Sequence, residues 1–75
     1  MKHEKTAKII KELCYKKNVS ITKLLDSCGI RKSIIYDLEK RRYTPSAELL
    51  EIIADYFNCS VDYLLGRTDN PKINE

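Results

Sequence analysis

The sequence predicts an all-α fold, five short helices in one compact domain. Three observations predict it. Apolar residues recur every three to four positions through most of the chain. No segment alternates apolar and polar residues in the way a half-buried strand does. Ser, Asn and Gly fall between the apolar runs, where they suit helix caps and stops.

Taken in order, residues 4–17 place Ala7, Ile10 and Cys14 on one stripe, with Ile9 and Leu13 adjoining and lysines between. Asn18 ends this first helix. Ser20 can cap a second over Ile21–Ser27, whose apolar positions are Ile21, Leu24, Leu25 and Cys28. Gly29 tolerates positive φ and suits a tight turn into a third helix, expected over Lys32–Glu39. In that helix Ile35 and Leu38 face the core and Ile34 is lateral. Residues 40–46 form a polar, basic connection. The fourth helix starts either at Pro45 under a Thr44 cap or at Ala47 under a Ser46 cap. It runs to Phe57 with Leu49, Leu50, Ile52, Ile53 and Ala54 apolar. Asn58, Cys59 and Ser60 break it, and Ser60 caps a fifth helix, Val61–Leu65, stopped by Gly66. Residues 1–66 are thus the expected domain, and 67–75, with Asn70-Pro71 and little periodicity, read as a flexible tail or linker stub.

Length and composition narrow the function. Seventy-five residues fit one domain and leave no room for a nucleotide-binding βαβ pair with a substrate domain, or for a TIM barrel. Twenty residues are Ile, Leu, Val or Phe, enough to build a core rather than default to disorder. The first 20 residues carry no signal-peptide apolar run, and no stretch approaches the roughly 18 apolar residues of a membrane span. A cytoplasmic protein without a membrane partner is expected. Cys14, Cys28 and Cys59 are odd in number and contain no C-x-x-C pair, and His3 is the sole histidine. A closed zinc site wants four ligands, so the simplest reading is buried free thiols in a reducing compartment, with no metal or cofactor. No nucleophile has a histidine near it in any catalytic pattern. Glycine only at 29 and 66 excludes both the dinucleotide fingerprint and the phosphate loop. The chain is not expected to be an enzyme.

The net charge of +3 conceals an asymmetry. Residues 1–45 carry twelve basic and five acidic side chains, residues 46–75 two basic and six acidic. One half suits a polyanion while the other points away, the bland alternative being an unevenly charged, solvated surface. The basic half contains Ser20–Leu38, which has the layout of two helices joined by a Gly-containing turn. The second helix of such a pair can enter a major groove, its outward face touching base edges and flanking basic residues gripping phosphates.

Val19-Ser20, Leu24, Gly29-Ile30, Ser33, Ile35, Leu38-Glu39, Arg42 and Pro45-Ser46 together resemble the helix-turn-helix domain of the phage Cro and lambda-repressor type, the XRE family. Ile10 and Leu13 upstream, and residues 49–54 and 60–66 downstream, are similar to its first, fourth and fifth helices. The resemblance implies a five-helix domain that binds double-stranded DNA sequence-specifically, as a homodimer on an inverted-repeat operator. A bacterial or prophage repressor is the expected role. Carried over by position, it implies base contacts from Lys32, Ser33, Tyr36 and Asp37, the last either accepting from cytosine N4–H₂ or acting negatively by repelling a backbone, with Ile34 either near a thymine methyl or packed inside. Phosphate contacts fall to Ser20, Lys40, Arg41, Arg42 and Tyr43, and a candidate dimer contact to Val61, Tyr63 and Leu64, with packing of Tyr63 within the chain as the alternative. The chain departs from the family pattern in places. Ile21 replaces a bracing Gln, and Leu25 a usual Ala. Cys14 replaces an Arg that pairs with the residue matching Glu39, leaving Glu39 to find Lys11, Arg42 or water. Arg31 replaces a hydroxyl cap, and Arg41 a Gly after the third helix. The competing reading is an antitoxin or other protein-binding module on the same fold, with a second protein as partner. Non-specific nucleoid or RNA binding fits less well, since the positive charge is modest and the aromatics form no stacking platform.

Overall fold

The computed structural model describes residues 3–41 and 43–70. The described residues form five helices in the expected order, α1 (Glu4–Lys16), α2 (Ile21–Cys28), α3 (Ile34–Lys40), α4 (Ala47–Phe57) and α5 (Val61–Leu64). α1 packs against α2, α3 and α5, and α4 against α2 and α5. Every helix sends at least one side chain fully inside: Ile10 from α1, Leu24 and Leu25 from α2, Ile34 and Leu38 from α3, Ile53 from α4 and Leu64 from α5. Burying large aliphatic side chains supplies roughly 1.5–3 kcal/mol each relative to exposure, and this shared cluster is what holds such short helices in place.

The helix boundaries follow from local chemistry. Ser20, Ser46 and Ser60 each sit in extended backbone, and their hydroxyls accept from the N–H groups of Lys23, Leu49 and Tyr63 at 3.0–3.1 Å. Each satisfies one of the four N–H donors that a helix start leaves open. Of the two starts open for α4, the Ser46 cap is therefore the one used. Four helices end in one type of turn. Asn18, Gly29, Asn58 and Gly66 take positive φ (54–76°), and the next residue's N–H closes back on a carbonyl five residues earlier: Val19 on Cys14, Ile30 on Leu25, Cys59 on Ala54, Arg67 on Asp62. This is the left-handed stop that favours Gly, with Asn next best.

α3 departs from expectation at both ends. It begins at Ile34, two residues late, because neither Arg31 nor Lys32 can cap it. A single tight turn, the Ile34 N–H to the Arg31 carbonyl at 3.3 Å, precedes the helix instead. It runs one residue longer, to Lys40, and ends on Arg41 in extended backbone (φ −108°, ψ 160°), since no glycine stands there to turn it left-handed. The Leu38 carbonyl, left open by the helix end, accepts from the His3 N–H at 2.9 Å, which ties the start of α1 to the end of α3. α5 stops at Leu64, with Leu65 as its cap. Glu39 finds one of its expected partners: Lys11 Nζ lies 2.6 Å from its carboxylate. Cys14, which replaces the arginine, is buried in the core, and so is Leu25.

Candidate nucleic-acid interface

The helix pair singled out in the sequence is present as α2, a connection through Gly29–Ser33, and α3. Gly29 makes the connection possible. At φ +67° with open space around its α-carbon, it terminates α2 and redirects the chain. Ile30 then packs partly against the core, which anchors the turn from below.

At this turn, polar side chains converge on Asp37. Its residue surface is only 9% exposed, and both carboxylate oxygens have partners. Oδ2 accepts from Arg31 Nε at 3.0 Å and lies 3.0 Å from Arg31 Nη2, while Ser33 Oγ donates to it at 3.4 Å. Oδ1 faces Arg41 Nε at 3.6 Å, one helical turn on. The Arg31 guanidinium also lies over the Tyr43 ring, 4.6 Å from its centroid, and Arg41 lies 5.8 Å from the centroid of Tyr36. Tyr43 first and Asp37 second push the Arg31 guanidinium above its already high pKa, so it stays cationic. One carboxylate thus holds an arginine at each end of α3, and each arginine rests on a tyrosine.

The expected base-reading residues separate into different environments. Lys32 and Ser33 lie in the turn before α3 rather than in its first helical turn. Lys32 is exposed and its Nζ pairs with Asp26 Oδ1 on α2, an exposed ion pair that costs little to exchange. Tyr36 projects with 56% of its surface exposed. Asp37 is no open acceptor for a cytosine amine; it is the brace just described. Ile34, for which a thymine contact stood beside core packing, is completely buried.

Among the phosphate candidates, Ser20 caps α2, and Arg41 is exposed at the end of α3. Lys40 turns the other way, lining a shallow groove of about 730 Å³ with Lys5, Lys8, Lys11 and Glu39. Tyr43 is half-buried beneath Arg31. Arg42 lies outside the described residues. Leu64 corrects the dimer expectation: with 0% exposure it belongs to the core, because α5 is one turn long and Leu64 is the residue it buries to stay attached. Val61 and Tyr63 are half-buried and keep part of their surface outside. In the sequence Arg31 stands out only as a residue that cannot cap α3. Its i to i+6 spacing to Asp37 is not a helical neighbour relation, and only the late start of α3 brings the two together.

The three cysteines are free thiols, Cys14 and Cys59 buried and Cys28 half-buried. Burial raises the pKa of each, and for Cys59 the nearby Lys17 charge pulls weakly the other way. Among the described residues no three His, Cys, Asp or Glu side chains gather as a metal site. No helix there is long and apolar enough to cross a membrane.

Comparison with known proteins agrees with this architecture. A family profile described as helix-turn-helix matches residues 10–64, which takes in α2, the turn, α3, α4 and α5. The chain is 43% identical over 56 residues to a Bacillus subtilis protein, the HTH-type transcriptional regulator AnsR, a match covering 75% of this chain and 48% of that protein. The chain therefore spans about half the length of this curated relative. No solved structure matches it significantly.

Proposed function

The chain belongs to the helix-turn-helix family, and from that membership we propose that it is a sequence-specific, double-stranded-DNA-binding transcriptional regulator of the Cro and lambda-repressor type. The observation that carries the reading is the placement of α3. It is reached through the Gly29 turn, and cationic side chains stand at both its ends, Arg31 and Lys32 before it and Arg41 after it. α3 enters the major groove with its leading turn and Tyr36 toward base edges. Arg41, with the start of α2 under its Ser20 cap, holds the phosphates on either side. The acidic residues Glu48, Glu51, Asp55 and Asp62 lie in α4 and α5, outside the helix pair itself. The likeness to a protein named as a transcriptional regulator supports the same reading.

In this account the protein represses by occupying promoter DNA in a bacterial or prophage setting, inside a reducing cytoplasm that keeps its three thiols free. It acts as a homodimer, since one short reading helix buries little surface and two copies on an inverted repeat multiply specificity. The remaining exposed parts of Val61 and Tyr63 form the contact between copies.

Titration with a mixed-sequence duplex at rising salt tests the proposal. The logarithm of the affinity should fall linearly with the logarithm of salt, with a slope of about −0.9 for each phosphate neutralised. Absence of binding at low salt, with a second protein co-purifying, would instead favour the antitoxin-like module.

A further inference from the structure

We infer that Arg31 is a specificity-determining residue, reading a guanine in the major groove, and that Asp37 and Tyr43 are positioning residues that aim it. The inference rests on the DNA-binding reading above and deepens it. Arginine carries five N–H donors in a rigid planar fork, and two neighbouring donors can span guanine O6 and N7. In a free side chain that fork samples many orientations, and holding it still costs rotamer entropy on binding.

Here the plane is set before any ligand arrives. Asp37 Oδ2 holds one edge of the guanidinium, Nε and Nη2 both at 3.0 Å. The Tyr43 ring supports its face at 4.6 Å. The opposite, terminal edge carries Nη1 and the outer hydrogen of Nη2, and this is the pair of donors that bidentate guanine contact uses. The side chain remains half exposed, and it sits three residues ahead of α3, at the end of a reading helix that meets base edges. A phosphate contact would need only a point charge, as a lysine ammonium offers; a preset plane is useful for a planar partner.

The same geometry explains the burial of Asp37. A carboxylate open to the groove would repel phosphates, whereas one covered by Arg31, Arg41 and Ser33 spends its charge on orientation. Asp37 and Arg31 therefore act as one unit, and Asp37 reads no base of its own.

The test compares the wild-type chain with Arg31→Lys, Arg31→Ala and Asp37→Asn on its preferred duplex and on duplexes changed one base pair at a time. Helical circular dichroism and thermal melts confirm that each variant is folded. Arg31→Ala should lose about tenfold to a hundredfold discrimination at one G·C pair per half-site and little elsewhere. Arg31→Lys keeps the charge and should lose the same discrimination while retaining affinity for random duplex. Asp37→Asn should weaken discrimination at that same pair. An Arg31→Ala profile identical to wild type at every position would overturn the inference while leaving DNA binding intact. So would an Asp37→Asn change confined to a different pair, which would restore Asp37 as a reader. A wild-type chain that binds no duplex at low salt would overturn the DNA reading itself, and this inference with it.

Discussion

At the scale of single residues, the sequence shows which side chains are charged but not whom they meet. Lys11 was one of three partners open to Glu39, and it is the one found, because α1 and α3 pack side by side. Asp37 looked like an outward acceptor, since helix periodicity alone leaves it off the face of Ile35 and Leu38. It is buried because a residue outside the helix, Arg31, folds over it. Periodicity cannot register a contact made from the preceding turn. The cysteines were more legible: all three fell within apolar patterns, and Cys14 and Cys59 are in the core. Their raised thiol pKa values have a consequence for stability. The folded state holds these protons more tightly than the unfolded chain, so their contribution is fully present below about pH 9 and is lost as pH rises through the higher folded values. Denaturant unfolding at pH 7.5 and pH 10 should show a steeper loss for the wild type than for a variant with all three cysteines changed to alanine. Equal losses in the two proteins would show that the thiols contribute nothing.

At the scale of elements, the serine caps and left-handed stops were readable one by one, and the structure shows that they form a repeated device. Asn18-Val19-Ser20 and Asn58-Cys59-Ser60 share one three-residue pattern: a left-handed Asn, an apolar residue that closes the stop, and a serine that caps the next helix. The likeness is hidden in sequence because Val and Cys look dissimilar, yet both supply the small apolar contact that such a stop requires. α3 was the least legible element because it has neither device. Its start is delayed by the lack of a capping side chain at Arg31 or Lys32, and its end extends into Arg41. Cap removal should therefore be costly at α2 for a reason unrelated to DNA. Ser20→Ala should cost about 1 kcal/mol of folding stability. Gly29→Ala should cost about 1–2 kcal/mol from the positive φ alone, as the added methyl meets nothing within 4 Å. Chemical denaturation midpoints at unchanged m-values check both, and an unchanged midpoint for Gly29→Ala would mean that the turn is not held left-handed in solution.

At the scale of the whole molecule, the division of charge between the two halves of the chain acquires a location. The basic half holds α1, α2 and α3, with arginines at each end of the third helix, and the acidic half holds α4 and α5. The all-α class and the order of five helices were fully readable, because amphipathic spacing, caps and stops agreed along the chain. The interface was readable as a region but not as a set of contacts, since base-reading and bracing side chains share residue types and differ only in what covers them. In the proposed function α3 reads duplex DNA as part of a two-fold dimer. Selection of bound duplexes from a random-sequence pool tests it most directly. An enriched inverted repeat is expected, its half-sites one helical turn apart, about 10 base pairs centre to centre; a pool that emerges with no enriched motif would contradict this role of α3.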